Sequence, residues 1–491
     1  MVSTITQKDA PPRSLWVSMA SLMLTMFLAA IDQTVVATAM PTIVGELHGI
    51  ESLSWLVTAF ALTSGMATPL YGKLSDMYGR RNLYLWAIAL FVLGSALCGL
   101  AQTMGQLIAF RAFQGLGAGG LLVLTMIISA DLAGPRERAK YQGLFGAVFG
   151  VASIAGPIIG GYLTEHVSWR WIFYINLPLG ALALAVAFSV LKLPRRTSPH
   201  RVDWLGAGLI SALLTSLTLL ASWGGTTYAW TSPVILGLAA ASVLLAGLFI
   251  LVERKAAEPV LPLRLFRDRS FALPVAATVL IATAILGMAT FLPMYLQLAS
   301  GASATDSGLL LLPLMGGMIT ASTLTGRVVT RLGRYKWVMV VGSLVAAAGG
   351  FLFSTMGLGT SAFVSGAYMV LAGLGLGMVG QNLILAVQTT APEADRGAAT
   401  SAVTFARNVG GALGVAILGA IFGGRVAGGQ TAVSPEAIQA LPEAARHAAQ
   451  LAFSDAITGV FAWLGPILIG GALLLACLKD VRLTPTPQAR G

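Results

Sequence analysis

Runs of about twenty mostly apolar residues recur along this chain, separated by short polar segments rich in Lys, Arg, Gly and Asp. Wound as an α-helix, a run of that length matches the hydrocarbon thickness of a bilayer, so each predicts one spanning helix. The pattern predicts about fourteen spans, near 15–40, 52–72, 82–101, 107–130, 140–164, 170–191, 203–222, 233–252, 271–297, 307–330, 337–357, 361–390, 398–423 and 456–478. Gly and Pro inside these runs do not argue against helices, because neighbouring helices can re-satisfy freed backbone groups. The expected fold class is an all-α integral membrane protein.

Composition agrees. The 491 residues are 56% hydrophobic and 10% charged, against roughly 25% charged in soluble domains. Fifty-seven glycines suit close helix–helix approach in lipid. The N-terminus (Lys8, Arg13) runs into a segment of spanning length without a small-residue cleavage site, so the first run is read as a span rather than a signal peptide.

The positive charge follows a topological rule. With the N-terminus inside, Arg170, Arg425 and Arg446 fall on outer segments and Arg111 and Arg407 within spans; the remaining Lys and Arg all fall on the cytoplasmic side. The net charge of +11 is thereby explained by topology and contact with anionic lipid, and no nucleic-acid partner is implied. An even span count puts both termini in the cytoplasm and the chain, multi-pass, in the cell membrane. Cys98 and Cys477 both lie within spans, and His48, His166, His200 and His447 are scattered at loops, so neither a disulfide scaffold nor a metal site is expected. HExxH, a GxxxxGK[ST] loop and clustered acids are missing from the sequence, which argues against an enzyme and gives no reason to expect a cofactor.

The two ends of the chain repeat one another. Gly72-Lys-Leu-Ser-Asp76-Met-Tyr-Gly79-Arg80-Arg81 returns as Gly326-Arg-Val-Val-Thr-Arg-Leu-Gly333-Arg334, and Gly115-Leu-Gly-Ala-Gly aligns with Gly373-Leu-Gly-Leu-Gly. Pro135-x-x-Arg138 echoes Pro392-x-x-x-Arg396. Such internal similarity between membrane halves marks transporters that rock about a site near the midplane. It divides the chain into a six-helix half over 1–200, two inserted helices over 201–255 and a second six-helix half over 256–491.

Asp32 is the only acid within the long apolar runs. Intramembrane carboxylates usually line ion or substrate pathways; the alternative is a structural carboxylate paired to a neighbouring helix. Arg111 is its natural partner if the first and fourth helices are neighbours, either as a pair released by protonation or as a permanent one. In the 72–81 loop, Asp76 is suited to accept from an exposed helix N-terminus in the other half, where negative charge is favoured; an ordinary basic turn is the alternative. Gly156-Pro157 should kink the fifth helix. Ala152, Gly156 and Gly160 share one face, allowing close contact with the opposite half. Arg407 has no intramembrane acid left to pair with; bonding to carbonyls, gating the cytoplasmic side and sitting at the interface all stay open.

These motifs, in this order, resemble the major facilitator superfamily over nearly the whole chain. Gly72-x-Leu74-x-Asp76-x-x-Gly79-Arg80-Arg81 is similar to its signature loop, with Met77 at a commonly basic position. Arg111-x-x-Gln114-Gly115-x-Gly117-Ala118 is similar to its fourth-helix motif. Ala152-x-x-x-Gly156-Pro157-x-x-Gly160-Gly161 is similar to the fifth-helix antiporter motif, with Ala for the usual first Gly. Together with Asp32-x-Thr34-Val35-Val36…Pro41 and Trp169-Arg170-Trp171-Ile172-Phe173-x-Ile175-Asn176-x-Pro178, the set resembles the fourteen-helix drug/proton antiporter branch.

The resemblance implies a monomeric, proton-driven exporter of amphiphilic drugs or toxic cations, with a dedicated exporter of one metabolite, antibiotic, amino acid, siderophore or lipid as the alternative. It implies proton coupling at Asp32 and Arg111, a latch at Gly72, Asp76, Gly79, Arg80 and Arg81, and an antiporter motif at Gly156, Pro157, Gly160 and Gly161. Candidate substrate-cavity residues are Gln33, Gln114, Phe291, Tyr295, Gln381 and Asn382, with Arg407 as a candidate gate. The partners expected are a small-molecule substrate, protons and membrane lipid.

Overall fold

The computed structural model describes residues 12–47, 53–191, 203–225, 227–256, 259–302, 304–425, 438 and 441–483. His48, His200 and most of the polar segment expected as an external loop near 424–455 lie outside them. The helices run α1 Pro12–Leu47, α2 Leu53–Tyr78, α3 Arg80–Leu100, α4 Met104–Leu132, α5 Pro135–His166, α6 Trp171–Tyr174, α7 Asn176–Val190, α8 Trp204–Trp223, α9 Pro233–Glu253, α10 Arg269–Leu298, α11 Ala304–Leu310, α12 Leu312–Leu332, α13 Lys336–Ser354, α14 Ala362–Thr390, α15 Arg396–Arg425 and α16 Glu443–Ala476.

Side chains just ahead of the helices satisfy orphan amides at their starts. Thr103 accepts from Gln106 N (3.3 Å) at α4, Asp203 from Gly206 N (2.9 Å) at α8, Asp268 from Ser270 N (2.8 Å) at α10, and Ser361 from Val364 N (3.4 Å) at α14. Thirteen helical segments among the described residues are long and apolar enough to cross a membrane, with α6 and α7 joined as one span and α11 and α12 as another. The chain is a multi-pass membrane protein.

The second expected run forms the 26-residue helix α2, more polar than the thirteen because it carries Thr58, Thr63, Ser64, Thr68, Lys73, Ser75 and Asp76. It can afford them because α4, α8 and α15 surround it. Two expectations need correction. The last helix starts at Glu443, well before 456. The fifth helix, α5, runs on through Pro157 as one helix and has two small-residue faces rather than one. Gly143, Gly146 and Gly150 meet Ser322 and Ile319 of α12, whereas Ala152 and Gly156 meet Ile31, Thr34 and Val35 of α1. Helical periodicity puts 152 and 156 on the side away from 143 and 150, so the glycine–proline motif faces its own half.

Packing repeats along the chain. Helix α2 packs on α4, α3 on α4, and α1 on α5 and α7; later, α12 packs on α14, α13 on α14, and α10 on α15 and α16. Two large apolar cores follow, one around Leu28, Tyr84, Phe91 and Leu121, the other around Met288, Tyr335, Phe353 and Leu464. The two sets of helices meet along α5/α12 and α2/α15, and α8 lies against both α2 and α15.

These two seams are tight at the face carrying the α2–α3 and α12–α13 turns, here the basic face. Arg136 donates to the carbonyls of Thr330 (2.5 Å) and Arg331 (2.6 Å), and Ser322 Oγ donates to Gly143 O (3.0 Å). Across the other seam, Ser401 Oγ donates to Thr68 O (3.4 Å). Gln388 Nε2 donates to Met126 O (3.1 Å) between α14 and α4.

Candidate functional site

Asp32, Gln114, Asn176 and Ser95 are fully buried, and Arg111 is 2% exposed. They converge from α1, α4, α7 and α3. Arg111 and Gln114 stand three residues apart on one face of α4. Arg111 Nη1 donates to Asp32 Oδ2 (2.7 Å) and to Gln114 Oε1 (2.8 Å), while Gln114 Nε2 donates to Asp32 Oδ1 (2.9 Å). Asn176 Nδ2 donates to the same Oδ1 (2.7 Å) and to Ser95 Oγ (2.9 Å), and Ser95 passes its own hydrogen to Phe173 O (2.9 Å). The guanidinium lies 4.0 Å from the Phe60 ring centroid and 5.8 Å from that of Phe173, a desolvated cation–π arrangement. Two polar atoms of the cluster, Arg111 Nε and Asn176 Oδ1, are buried without a partner.

Asn176 opens α7, directly after the single turn α6 and Ile175. Ile175 keeps right-handed helical angles (φ −59°, ψ −26°) and its N–H bonds to Trp171 O (3.0 Å), so the two pieces form one span. Ile172, Phe173 and Asn176 are all buried. The far end of α6 is clamped: Trp169 Nε1 donates to Glu46 Oε2 (2.7 Å) and Arg170 Nη1 to Glu46 Oε1 (2.5 Å). Glu46 lies beyond the spanning stretch Leu15–Val36 of α1, and the hydrogen bond from Arg170 holds its carboxyl below the usual glutamate range.

The 72–81 loop presents its residues to two partners. A side chain at Gly72 would collide with Ser401 and the Gly397 carbonyl, and one at Gly397 would collide with Asp76. Asp76 thus sits at the start of α15, where the helix dipole favours an anion. It accepts from Arg80 Nη2 (2.8 Å); Arg80 also pairs with Asp131, which lies 3.9 Å from Arg396 of α15. Gly79 has φ 93°, a left-handed conformation that glycine adopts without a steric penalty. Arg81 departs from the expected group. Its Nη2 donates to Phe188 O (2.7 Å), tying α3 to α7 within the same set of helices.

The remaining candidates scatter. Phe291 packs 5.7 Å from Phe422, and Tyr295 Oη donates to Gly357 O (3.0 Å); both are buried in the second core. They share the face of α10 that packs against neighbouring helices, which an apolar run does not reveal. Gln33 is exposed beside Asp32, and Asn382 turns back onto Met378 O (2.7 Å). Gln381 lies by Gly146 at the α5/α12 seam, its Oε1 buried and unpartnered. Arg407 is half-buried on α15, without an ion pair among the described residues. Pro157 is exposed, Gly160 is buried and Gly161 faces open space.

Of two further cluster members, Asn176 stands in the sequence only as part of the Trp169–Pro178 motif, without a role of its own, and Ser95 is not marked there. Asn176 had a signal, as a polar residue beside Pro178 in a spanning run; Ser95 had none. Asp131 and Arg396 joined the basic-face network in the same unannounced way.

A helical membrane bundle with a duplicated packing pattern and a buried charge cluster defines a class, the multi-pass transporters. The family model for the Major Facilitator Superfamily matches residues 22–415, and the chain belongs to that family, whose members are transporters and not enzymes. It is 40% identical over 431 residues to the multidrug transporter protein MdtP of Bacillus subtilis, covering 88% of this chain and 80% of that one. It is 36% identical to multidrug resistance protein 3 of the same species (86% and 81% covered). An uncharacterised transporter of the family from Mycobacterium tuberculosis is 39% identical over 476 residues, covering 94% of this chain and 69% of its own length. Among solved structures, the human organic anion transporter MFSD10 superposes with TM-score 0.67 at 16% identity, over 95% of this chain and 100% of that one. The proton:xylose symporter XylE gives 0.64 at 14%, over 96% and 97%.

Proposed function

We propose that this chain is a proton-coupled antiporter that exports amphiphilic drugs or toxic cations by alternating access. The observation that carries the reading is the buried Asp32–Arg111 pair, with Gln114 and Asn176 bonded to the same carboxylate. An ion pair removed from water is a poor source of stability unless fully satisfied; here its retention is explained by titration. A proton on Asp32 removes half of the pair and frees Arg111 to change partners. The names of the two Bacillus relatives support drug export as the cargo class.

Two six-helix halves, 1–200 and 256–491, rock about this site, with 201–255 inserted between them. The basic face is cytoplasmic, the termini lie on that side, and the protein works as a monomer in the cell membrane. The arrangement described above is then the outward-facing state, with Gly72, Asp76, Gly79 and Arg80 latching α2 to α15. The antiporter motif acts on α1, since Gly156 admits Thr34, two residues from Asp32. Gln33, Gln381 and Asn382 are proposed cavity residues and Arg407 the gate. One proton entering through ~100 mV supplies about 2.3 kcal/mol, and each pH unit adds about 1.4 kcal/mol, enough to concentrate a neutral substrate some tens- to hundreds-fold.

The test is efflux by proteoliposomes under an imposed proton gradient, against a panel of dyes and antibiotics. Asp32→Asn is expected to insert normally and lose gradient-driven efflux. Uphill transport at the wild-type rate by that variant would sink the reading. A dedicated exporter is the second reading, favoured by the 33% identity to the acurin A biosynthesis cluster transporter of Aspergillus aculeatus. Transport of one panel member alone would select it.

A further inference from the structure

We propose that Asn176 is a two-orientation amide that reads the protonation state of Asp32 and passes it, through Ser95, to the backbone of α6. The inference rests on the reading of Asp32 as the proton-coupling group. Its starting point is an imbalance: both hydrogens of Asn176 Nδ2 are used, on Asp32 Oδ1 and Ser95 Oγ, while Oδ1 of the same amide is buried and unpartnered.

That orientation suits an ionised Asp32, which can only accept. Turning the amide over would set two acceptor oxygens against each other, so the anion locks the donor in place. Protonation reverses the preference. The proton belongs on Oδ1, which meets two neutral donors, because Oδ2 holds the guanidinium of Arg111. The new O–H needs an acceptor, and Asn176 Oδ1 supplies one once the amide turns. In either orientation one end of the amide is unpaired, so the orientations differ little in their own right and the carboxyl decides between them. The proton comes from water and returns to water, and no other bond is made or broken.

Ser95 carries the change onward. Its single hydrogen now goes to Phe173 O. With Asn176 Oδ1 turned toward it, that hydrogen moves to the amide and the Phe173 carbonyl is released. The carbonyl belongs to the one-turn helix α6, whose other end is clamped through Arg170 and Trp169 to Glu46. Other charged or titratable groups facing the cluster are Arg111 from α4 and Cys98 from α3, whose Sγ lies 3.7 Å from Gln114 Oε1. Helices α2 and α6 present the rings of Phe60 and Phe173, and α6 the Phe173 carbonyl as well.

The experiment is acid-minus-alkaline infrared difference spectroscopy on the full chain in proteoliposomes, with the asparagine side-chain carbonyl isotopically labelled. The chain has four asparagines, Asn82, Asn176, Asn382 and Asn408, so the band is assigned by its loss in Asn176→Val. In the wild type it is expected to shift in step with the Asp32 carboxylic-acid band, and Asp32→Asn to abolish both. Ser95→Ala keeps the shift but loses coupling. Asn176→Val lowers gradient-driven efflux about tenfold, the weight of one hydrogen bond to a charged group. An Asp32 band that titrates while the asparagine band stays still overturns the switch and leaves the proton reading standing. Sustained uphill efflux by Asp32→Asn strikes the proton reading itself. The wild-type spectrum is informative even where a variant fails to fold.

Discussion

The first and last thirds of the chain share a skeleton and differ in chemistry. Gly79 and Gly333 both turn the chain in the left-handed region, at φ 93° and 66°. Thr103 caps α4 where Ser361 caps α14. Gly115 and Gly119 admit the backbone of α2 against α4 as Gly373 and Gly377 admit that of α12 against α14, and Gly117 and Gly375 bring in α3 and α13. At the register those glycines set, Arg111 corresponds to Met369 and Gln114 to Ala372, both buried in the second core. Asp76 corresponds to Thr330, whose single hydroxyl hydrogen is shared between Gly326 O of its own helix (2.7 Å) and Arg136 O across the seam (3.2 Å). The packing frame is shared, whereas the buried ion pair of Asp32 with Arg111 stands in the first third alone among the described residues.

The largest effect should come from making the first site resemble the second. Arg111→Met leaves Asp32 buried with only neutral donors, and breaking a buried pair costs about 3–5 kcal/mol unless the carboxyl takes up a proton. Loss of gradient-driven efflux is expected. Arg111→Gln, which keeps polarity, should displace the efflux–pH profile toward alkaline values, because deprotonation then lacks the cation's help; Arg111→Lys should be milder. The converse, Met369→Arg, buries a cation without a partner and should lower the thermal unfolding midpoint in detergent by a similar free energy. If Met369→Arg is tolerated, burial does not explain the asymmetry.

Next come the matched glycines. A methyl group at Gly117 meets the backbone of Phe91, and one at Gly375 meets that of Ala346. Gly117→Ala and Gly375→Ala should each cost about 1–3 kcal/mol, the usual range for overpacking, and by amounts close to each other. A large difference in their melting shifts would break the claim of a common frame.

The two seams offer a finer contrast. Asp76→Ala removes an anion from the start of α15 and leaves Arg80 with Asp131 alone, so it should favour opening of the basic face by about 1–2 kcal/mol. Thr330→Ala removes a neutral hydroxyl whose shorter bond stays within α12, and should shift the same equilibrium by about 1 kcal/mol or less. Double electron–electron resonance between labels on the two halves reads both. Equal distance distributions in the two variants would mean that charge adds nothing to the latch.

Much of this comparison was legible in the residues. The spans, the repeat and the pairing of Asp32 with Arg111 follow from apolar length, from a constant offset and from the scarcity of intramembrane charge. Direction was not legible. Helix α5 has small residues on two faces, and spacing alone does not say which one meets the other half. Arg81 looked like part of the turn because it follows Arg80, but one helical step of about 100° carries it to α7. Ser95 is one small polar residue in the apolar run of α3, and hydropathy averages such a residue away.

The smallest effect expected is at Glu46, and it tests whether the clamp on α6 belongs to the asymmetry. Glu46 is 48% exposed and Arg170 29%, so the ion pair is worth at most about 1 kcal/mol after solvent screening. Its carboxyl is held below the usual glutamate value, first by the hydrogen bond from Arg170. A lowered value means the folded protein gains from this group at pH above the ordinary glutamate range, about 4.3, and loses the gain as pH falls through the lower folded value. Glu46→Gln should therefore melt slightly earlier than wild type at pH 7, with the gap closing in acid. It keeps an acceptor for Trp169, whose ring stacks 4.4 Å from the Arg170 guanidinium, so α6 should stay seated and efflux should fall less than twofold. A loss of efflux as deep as that of Arg111→Met would make the clamp part of the proton machinery, and the chemistry of the first half would then extend from Asp32 to the opposite membrane face.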